Sequence, residues 1–313
     1  MQIDREKLKN IRKRIIPLKN LIKYESIDVT YLNKILNEVI SENVYNTFDL
    51  LKLVMHNYEG DIIGAIKRID DYSNVRFNCY HACKKLKEKV DNLGINSYLI
   101  SYKSIGFSNK HGDDVIKEAH MALIIPTIRN NKVYYILMDP GLRIPACLEF
   151  YREKLETDIE IDNDKIKIKK FDDPIYNYTM IMEGFNRYTD RTSYICQEYF
   201  DLDHEIVNPS DALFPGVFHV LLGYRAIRFS ENKEMRACIK LLLVDECLEI
   251  SWSDKKTYLT FAEINNMSDA KFRRILKHAT KILDIDDYEF MILIRFVLNI
   301  KDEIKNTLLY SVL

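Results

Sequence analysis

The chain has 313 residues, 47% hydrophobic and 11% aromatic, enough to bury a full core in one large domain or two to three smaller lobes. With 46 Lys and Arg against 47 Asp and Glu the net charge is −1, which argues against a globally basic nucleic-acid binder. No apolar run reaches the ~18 residues of a membrane helix, no signal-peptide stretch opens the chain, and six cysteines are too sparse for a disulfide scaffold; a reduced, cytoplasmic protein is expected.

Residues 1–75 are expected to be helical, with Pro17 breaking or kinking the basic segment REKLKNIRKRIIPLKNLIK, itself read as a solvated helix face. In DVTYLNKILNEVIS the apolar residues recur at helical spacing, and TFDLLKLVMHNY and DIIGAIKRI predict two shorter helices. Cys79, Ala82, Cys83, Leu86, Val90 and Leu93 form one apolar stripe of a further helix, which Gly94 stops. SYLISY, AHMALIIP and KVYYILMD then read as strands, rich in β-branched and aromatic residues. TDIEIDNDKIKIKKF predicts a hairpin turning around Asn163-Asp164. More strands are expected near 217–229, 236–252 and 256–261, and NNMSDAKFRRILKHATKIL returns to helical periodicity. The fold class implied is α+β: a helical lobe over 1–95, a central antiparallel β-rich, barrel-like lobe over 96–210, and a C-terminal α/β lobe over 211–313.

A helix N-terminus favours thiolate through its unpaired N–H groups and dipole. Cys79, in VRFNCYHACKKL, stands at such a start, whereas Cys83 lies one turn further in. The next two strands supply partners. If Asn130-Asn131 form a two-residue turn, residues whose numbers sum to 261 face each other, so Asp139 pairs with Ala122 and His120 with Gly141. His120 and Asp139 are then diagonal neighbours on one face, roughly 7–8 Å apart at the backbone. Cys as nucleophile, His as base and Asp fixing the imidazole tautomer is the set that nucleophilic catalysis needs.

A cysteine at a helix start, a glycine 15 residues later in NLGI, a strand His and a strand-end Asp resemble the papain-like superfamily of transglutaminases and arylamine N-acetyltransferases. Asp139-Pro140-Gly141 is similar to the acetyltransferases' Asp-x-Gly turn, and VNPSDALF, ending in Phe214, resembles their Ser-Pro-rich stretch before the third lobe. The sequence departs from that family at VRFNC, where Arg76 is one place out of register and two glycines are missing. It departs again at KEA, which replaces the Thr-Gly before the histidine, and over 40–55, which lacks a Pro-Phe-Glu counterpart. The resemblance implies a papain-like, transglutaminase-like core, an acyl-thioester on Cys79, acyl-CoA as donor, and a small-molecule or peptide amine as acceptor. It also implies a substrate site at Gly141, Leu142 and Phe214, with no metal.

Two other readings stay open. One is a transglutaminase-like amidase, deamidase or cysteine protease using the same triad; the other is a degenerate member kept as a binding module. Cys79, His81 and Cys83 lack zinc-knuckle spacing and a second Cys/His pair. No phosphate-cradling glycine-rich loop occurs, and His56, His111, His204, His219 and His278 are read as surface or core residues.

Overall fold

The computed structural model describes residues 12–14, 21–42, 45–69, 78–105, 116–161, 164–173, 176–186, 191–206, 223–229, 235–243 and 245–312. Helical periodicity is realised in α1 (Val29–Glu42), α2 (Phe48–His56), α3 (Ile62–Lys67) and α4 (Asn78–Asp91). α1 buries Leu32, Ile35, Leu36 and Val39, the stripe that its sequence spells out. α3 starts where the Asp61 carboxylate accepts from the Ile63 and Gly64 N–H groups. In α4 the stripe from Cys79 to Val90 is buried, while Leu93 lies past the helix end and is 44% exposed. Gly94 has φ 76° and donates to the Asp91 carbonyl at 2.9 Å, a turn that glycine adopts without a Cβ clash.

The N-terminal region is not wholly helical, contrary to expectation. β1 (Arg12–Arg14) pairs antiparallel with β11 (His204–Ile206), and β2 (Tyr45–Asn46) with β12 (Gly223–Phe229). Such short segments carry no periodicity of their own; a distant partner strand recruits them. Pro17 and Arg76 lie outside the described residues.

One antiparallel sheet of eight strands dominates the middle of the chain. Its members are β3 (Tyr98–Ile105), β4 (Ile116–Arg129), β5 (Lys132–Met138), β6 (Leu148–Tyr151), β7 (Glu156–Ile161), β8 (Asp164–Lys170), β9 (Tyr178–Asn186) and β10 (Arg191–Phe200), in the order β6-β5-β4-β3-β10-β9-β8-β7. The sheet curls nearly into a barrel. Phe150 on β6 reaches Tyr178 on β9 at 6.0 Å between ring centroids, and the Tyr178 hydroxyl donates to the Arg152 carbonyl at 2.9 Å, although these strands are far apart in the sheet. The β4–β5 turn is the expected one: Asn130 and Asn131 have φ 52° and 57°, and pairs run from Arg129↔Lys132 to Leu123↔Met138. The β7–β8 hairpin corrects its expectation by one residue. Ile161 pairs with Asp164, so Asp164 is a strand residue, 2% exposed, and Asn163 lies outside the described residues.

Towards the C-terminus, β13 (Met235–Leu242), β14 (Cys247–Trp252) and β15 (Lys255–Thr260) join β12 and β2 in a five-stranded sheet, ordered β15-β14-β13-β12-β2. The strand expected over 236–252 is therefore two, with Glu246 at φ 49° in the reversal between them. Helices α5 (Phe261–Asn265), α6 (Asp269–Leu283) and α7 (Asp287–Val312) complete the chain. Thr260 and Glu263 form a reciprocal capping box at the start of α5. The fold is α+β. By contacts within the chain it divides into two units, one built from 41–81 and 217–313, the other from 2–40 and 82–216. No helix among the described residues is long and apolar enough to cross a membrane.

Candidate active site

β5 ends at Met138, and Asp139 opens a turn through Pro140, Gly141, Leu142 and Arg143. The expected ladder pairs Asp139↔Ala122 and His120↔Gly141 therefore do not form; His120 pairs instead with Tyr102 on β3. The side chains still meet. His120 Nε2 lies 2.9 Å from both carboxylate oxygens of Asp139. Asp139 is fully buried and His120 is 8% exposed. A carboxylate accepts only, so Nε2 carries the proton and donates, and Nδ1 is the basic nitrogen of the ring.

The turn holds the carboxylate from the other side, with the Leu142 N–H donating to Asp139 Oδ1 at 2.8 Å. The Ile144 N–H donates to the Asp139 carbonyl at 3.3 Å. Arg143, buried at φ 58°, completes the reversal in a left-handed conformation that a non-glycine residue rarely adopts. Helix α1 pins the segment after this turn: the Cys147 N–H donates to Asn33 Oδ1 and the Asn37 amide to the Pro145 carbonyl, both at 2.7 Å. Of the expected substrate-site residues, Gly141 is buried in this turn, Leu142 is half-buried against the core of the large sheet, and Phe214 lies outside the described residues.

Helix α4 runs beside β4. Cys83 Sγ donates to the Met121 carbonyl at 3.2 Å, next to His120 in sequence. Cys79 stands in the first turn of α4, one helical turn before Cys83 and on the same side of the helix, and is 2% exposed. Burial pushes the Cys147 thiol up to about 12; it does the same to Cys238, also to about 12. Among the described residues no group of three or more His, Cys, Asp or Glu side chains is arranged to hold a metal ion.

Sequence reasoning missed Tyr102. It lies directly opposite His120, with ring centroids 5.1 Å apart. Residues 106–115 separate β3 from β4 in the sequence, so no short turn motif announced that register. Arg143 was missed as well, because arginine, unlike asparagine, gives no sequence signal of a left-handed conformation.

No family model matches the sequence, and no curated protein does. Solved structures do. The arylamine N-acetyltransferase of Mycobacterium abscessus superposes with a TM-score of 0.51 at 13% identity, over 85% of this chain and 87% of that one. The Mycobacterium tuberculosis enzyme gives 0.51 at 10% identity, over 88% and 93%. The Mycobacterium marinum enzyme, solved in complex with CoA, gives 0.51 at 12% identity, over 85% and 92%. The chain has the arylamine N-acetyltransferase fold. Along the chain Cys79, His120 and Asp139 fall at a helix start, in a strand and just past a strand end.

Proposed function

We propose that the chain is a cysteine-dependent N-acyltransferase in which Cys79, His120 and Asp139 act as a triad. The observation that carries the reading is the buried Asp139–His120 pair at 2.9 Å, which directs the proton to Nε2 and leaves Nδ1 as the base for a thiol. The position of Cys79 in the first turn of α4 supports its role as nucleophile, because the helix dipole stabilises thiolate there.

In the reaction, His120 takes the Cys79 proton and the thiolate attacks the carbonyl carbon of an acyl-CoA thioester. Backbone N–H groups at the start of α4 stabilise the tetrahedral oxyanion. The carbon–sulfur bond to coenzyme A breaks, and its thiolate takes the proton from His120. The acyl group now sits on Cys79. An amine attacks it, His120 removes the ammonium proton, and Cys79 leaves and is reprotonated. Donor thioester and enzyme thioester are close in energy, so amide formation drives turnover. Acyl-CoA as the donor is supported by the CoA complex of the Mycobacterium marinum protein that shares the fold. Gly141, Leu142 and Phe214 are assigned to the substrate site, with Leu142 and its neighbours on the acceptor side.

The test is intact mass after incubation with a panel of acyl-CoAs and acyl-pantetheines, beside glutamine peptides, with Cys79→Ala as control. An adduct of acyl mass on Cys79 that an amine discharges is the expected result. Loading from amide donors alone moves the assignment to an amidase of transglutaminase type. No loading from any donor, with folding intact, leaves a binding module.

A further inference from the structure

One face of the five-stranded sheet carries more positive charge than its own carboxylate balances. Arg225 on β12 stands directly opposite Lys240 on β13, Lys240 opposite Glu249 on β14, and Glu249 opposite Tyr258 on β15, so these four side chains form one row across four strands. Lys256 on β15 reaches the same row from the next pair along, where it faces Ser251. Like charges directly opposite in a ladder repel, and removal from water strengthens the repulsion. Glu249, only 7% exposed, serves two of the three cations: Lys240 Nζ lies 3.1 Å from its Oε1 and Lys256 Nζ 3.3 Å from the same oxygen.

Arg225 is left over. Among the described residues its Nε is buried without a hydrogen-bond partner, and no carboxylate pairs with its guanidinium. Its backbone is clamped to Thr47: the Arg225 N–H donates to Thr47 Oγ1 at 2.6 Å, and the Arg225 carbonyl accepts from the Thr47 N–H at 2.8 Å. The register, and with it the face on which the guanidinium lies, is therefore fixed. The Cys238 thiol, in the row between Ile227 and Ser251, shows that the charges converge. Burial pushes it up to about 12, Lys240 draws it down, Glu249 pushes it up, and Arg225 and Lys256 draw it down again. A desolvated cation without a counter-ion is costly, and an uncharged side chain would fill the position without that cost. Arg225 is half-buried and the Lys240 side chain 17% exposed, so an ion from solvent can reach both.

We propose that Arg225 and Lys240 form an anion site that takes a phosphate group. The planar guanidinium offers parallel N–H donors to two phosphate oxygens, and the ammonium adds a point charge beside them. Three cations against one carboxylate leave two positive charges, which a phosphate dianion neutralises. The site is built wholly from the unit of 41–81 and 217–313 and stands apart from the acyltransferase reading. Free phosphate and a phosphate carried by a larger ligand such as CoA share this chemistry, and the test separates them.

The experiment is thermal melting of the full chain at constant ionic strength against increasing inorganic phosphate, CoA or pantetheine, which carries no phosphate, for wild type, Arg225→Gln and Arg225→Lys. Wild type should show a saturable rise with a phosphate-bearing probe. The general salting effect of phosphate does not saturate and is the same in all three proteins. In Arg225→Gln the half-point should move up by about tenfold or more, the loss of one charge-assisted pair. Arg225→Lys keeps the charge without the fork and should weaken binding about threefold; it decides the matter if the glutamine variant does not fold. A rise with CoA alone assigns the phosphate to a carried ligand, and a rise with inorganic phosphate, alone or beside CoA, assigns a site open to the free ion. No saturable rise with either phosphate probe, or a half-point unchanged in the folded Arg225 variants, overturns the inference. Acyl loading of Cys79 is measured separately, so neither result decides the other.

Discussion

Asp139→Asn separates charge from shape at the buried pair. Asparagine can keep the Leu142 N–H bond through its carbonyl oxygen, so the turn survives. Its amide nitrogen then takes the Oδ2 position, 2.9 Å from His120 Nε2, while the remaining oxygen at Oδ1, also 2.9 Å from Nε2, is shared with the Leu142 N–H. The N–H donor of the amide repels an Nε2–H and favours the tautomer in which Nε2 accepts from the amide and the imidazole proton sits on Nδ1. The nitrogen needed as base is then blocked. Acyl loading and turnover should fall about 10³–10⁴-fold, or ~4–5.5 kcal/mol of transition-state stabilisation, the scale seen when a triad acid is neutralised elsewhere. Stability should fall by only ~1–2 kcal/mol, since one charge-assisted hydrogen bond is weakened while no buried charge is stranded. Initial rates of acyl-Cys79 formation by quenched intact mass, with thermal melting in parallel, check both numbers. An Asp139→Asn protein that loads within about tenfold of wild type, while His120→Ala does not load, refutes the tautomer argument.

Limiting iodoacetamide near neutral pH should label Cys79 first and Cys147 and Cys238 last, since burial raises both of the latter to about 12 and keeps them protonated well above neutrality. Peptide mapping that finds Cys83, Cys147, Cys196, Cys238 or Cys247 ahead of Cys79 counts against the nucleophile assignment. Leu142→Trp should alter acceptor preference more than acyl loading, because the bond from Leu142 to Asp139 comes from the backbone and survives the change, while the half-buried side chain does not. Equal loss of both steps, measured as loading rate against amine discharge rate, argues that Leu142 is only a packing residue.

The parts legible in the sequence are those set by local rules. The α4 stripe and its Gly94 stop follow from a 3.6-residue period and a glycine at positive φ. The Asn130-Asn131 turn follows from the residue type that, after glycine, best tolerates a left-handed conformation, and it sets the register that carries His120 toward Asp139. What escaped was set by distance or by excess hydrophobicity. β1 and β2 exist only because strands at 204–206 and 223–229 pair with them. Helix α7 has no single polar face over DYEFMILIRFVLNI; it buries Phe290, Ile294, Val297 and Ile304 but also Met291 and Leu293, so its period is blurred. The end of β5 at Met138 was missed because nothing local marks it except Pro140, which cannot donate to a ladder.

One of the points where the sequence departs from the acetyltransferase pattern coincides with an irregularity in the large sheet. KEA occupies 117–119, immediately before His120, where that family has Thr-Gly. At the same place the β3–β4 ladder slips: Tyr102 pairs with His120, but Lys103 pairs with Glu118, so Ala119 is an extra residue in its strand. A bulge of this kind bends its strand and re-aims the residues beside it. From Met121 onward the pairing with β3 is regular. His120 therefore stands at the edge of the bulge, with regular ladder on one side and, on the other, a segment that by the resemblance lies toward the donor and that departs in both sequence and register. Under the acyltransferase proposal a donor site altered at the bulge should change which acyl thioester loads Cys79, which is why the donor test spans chain lengths and pantetheine forms.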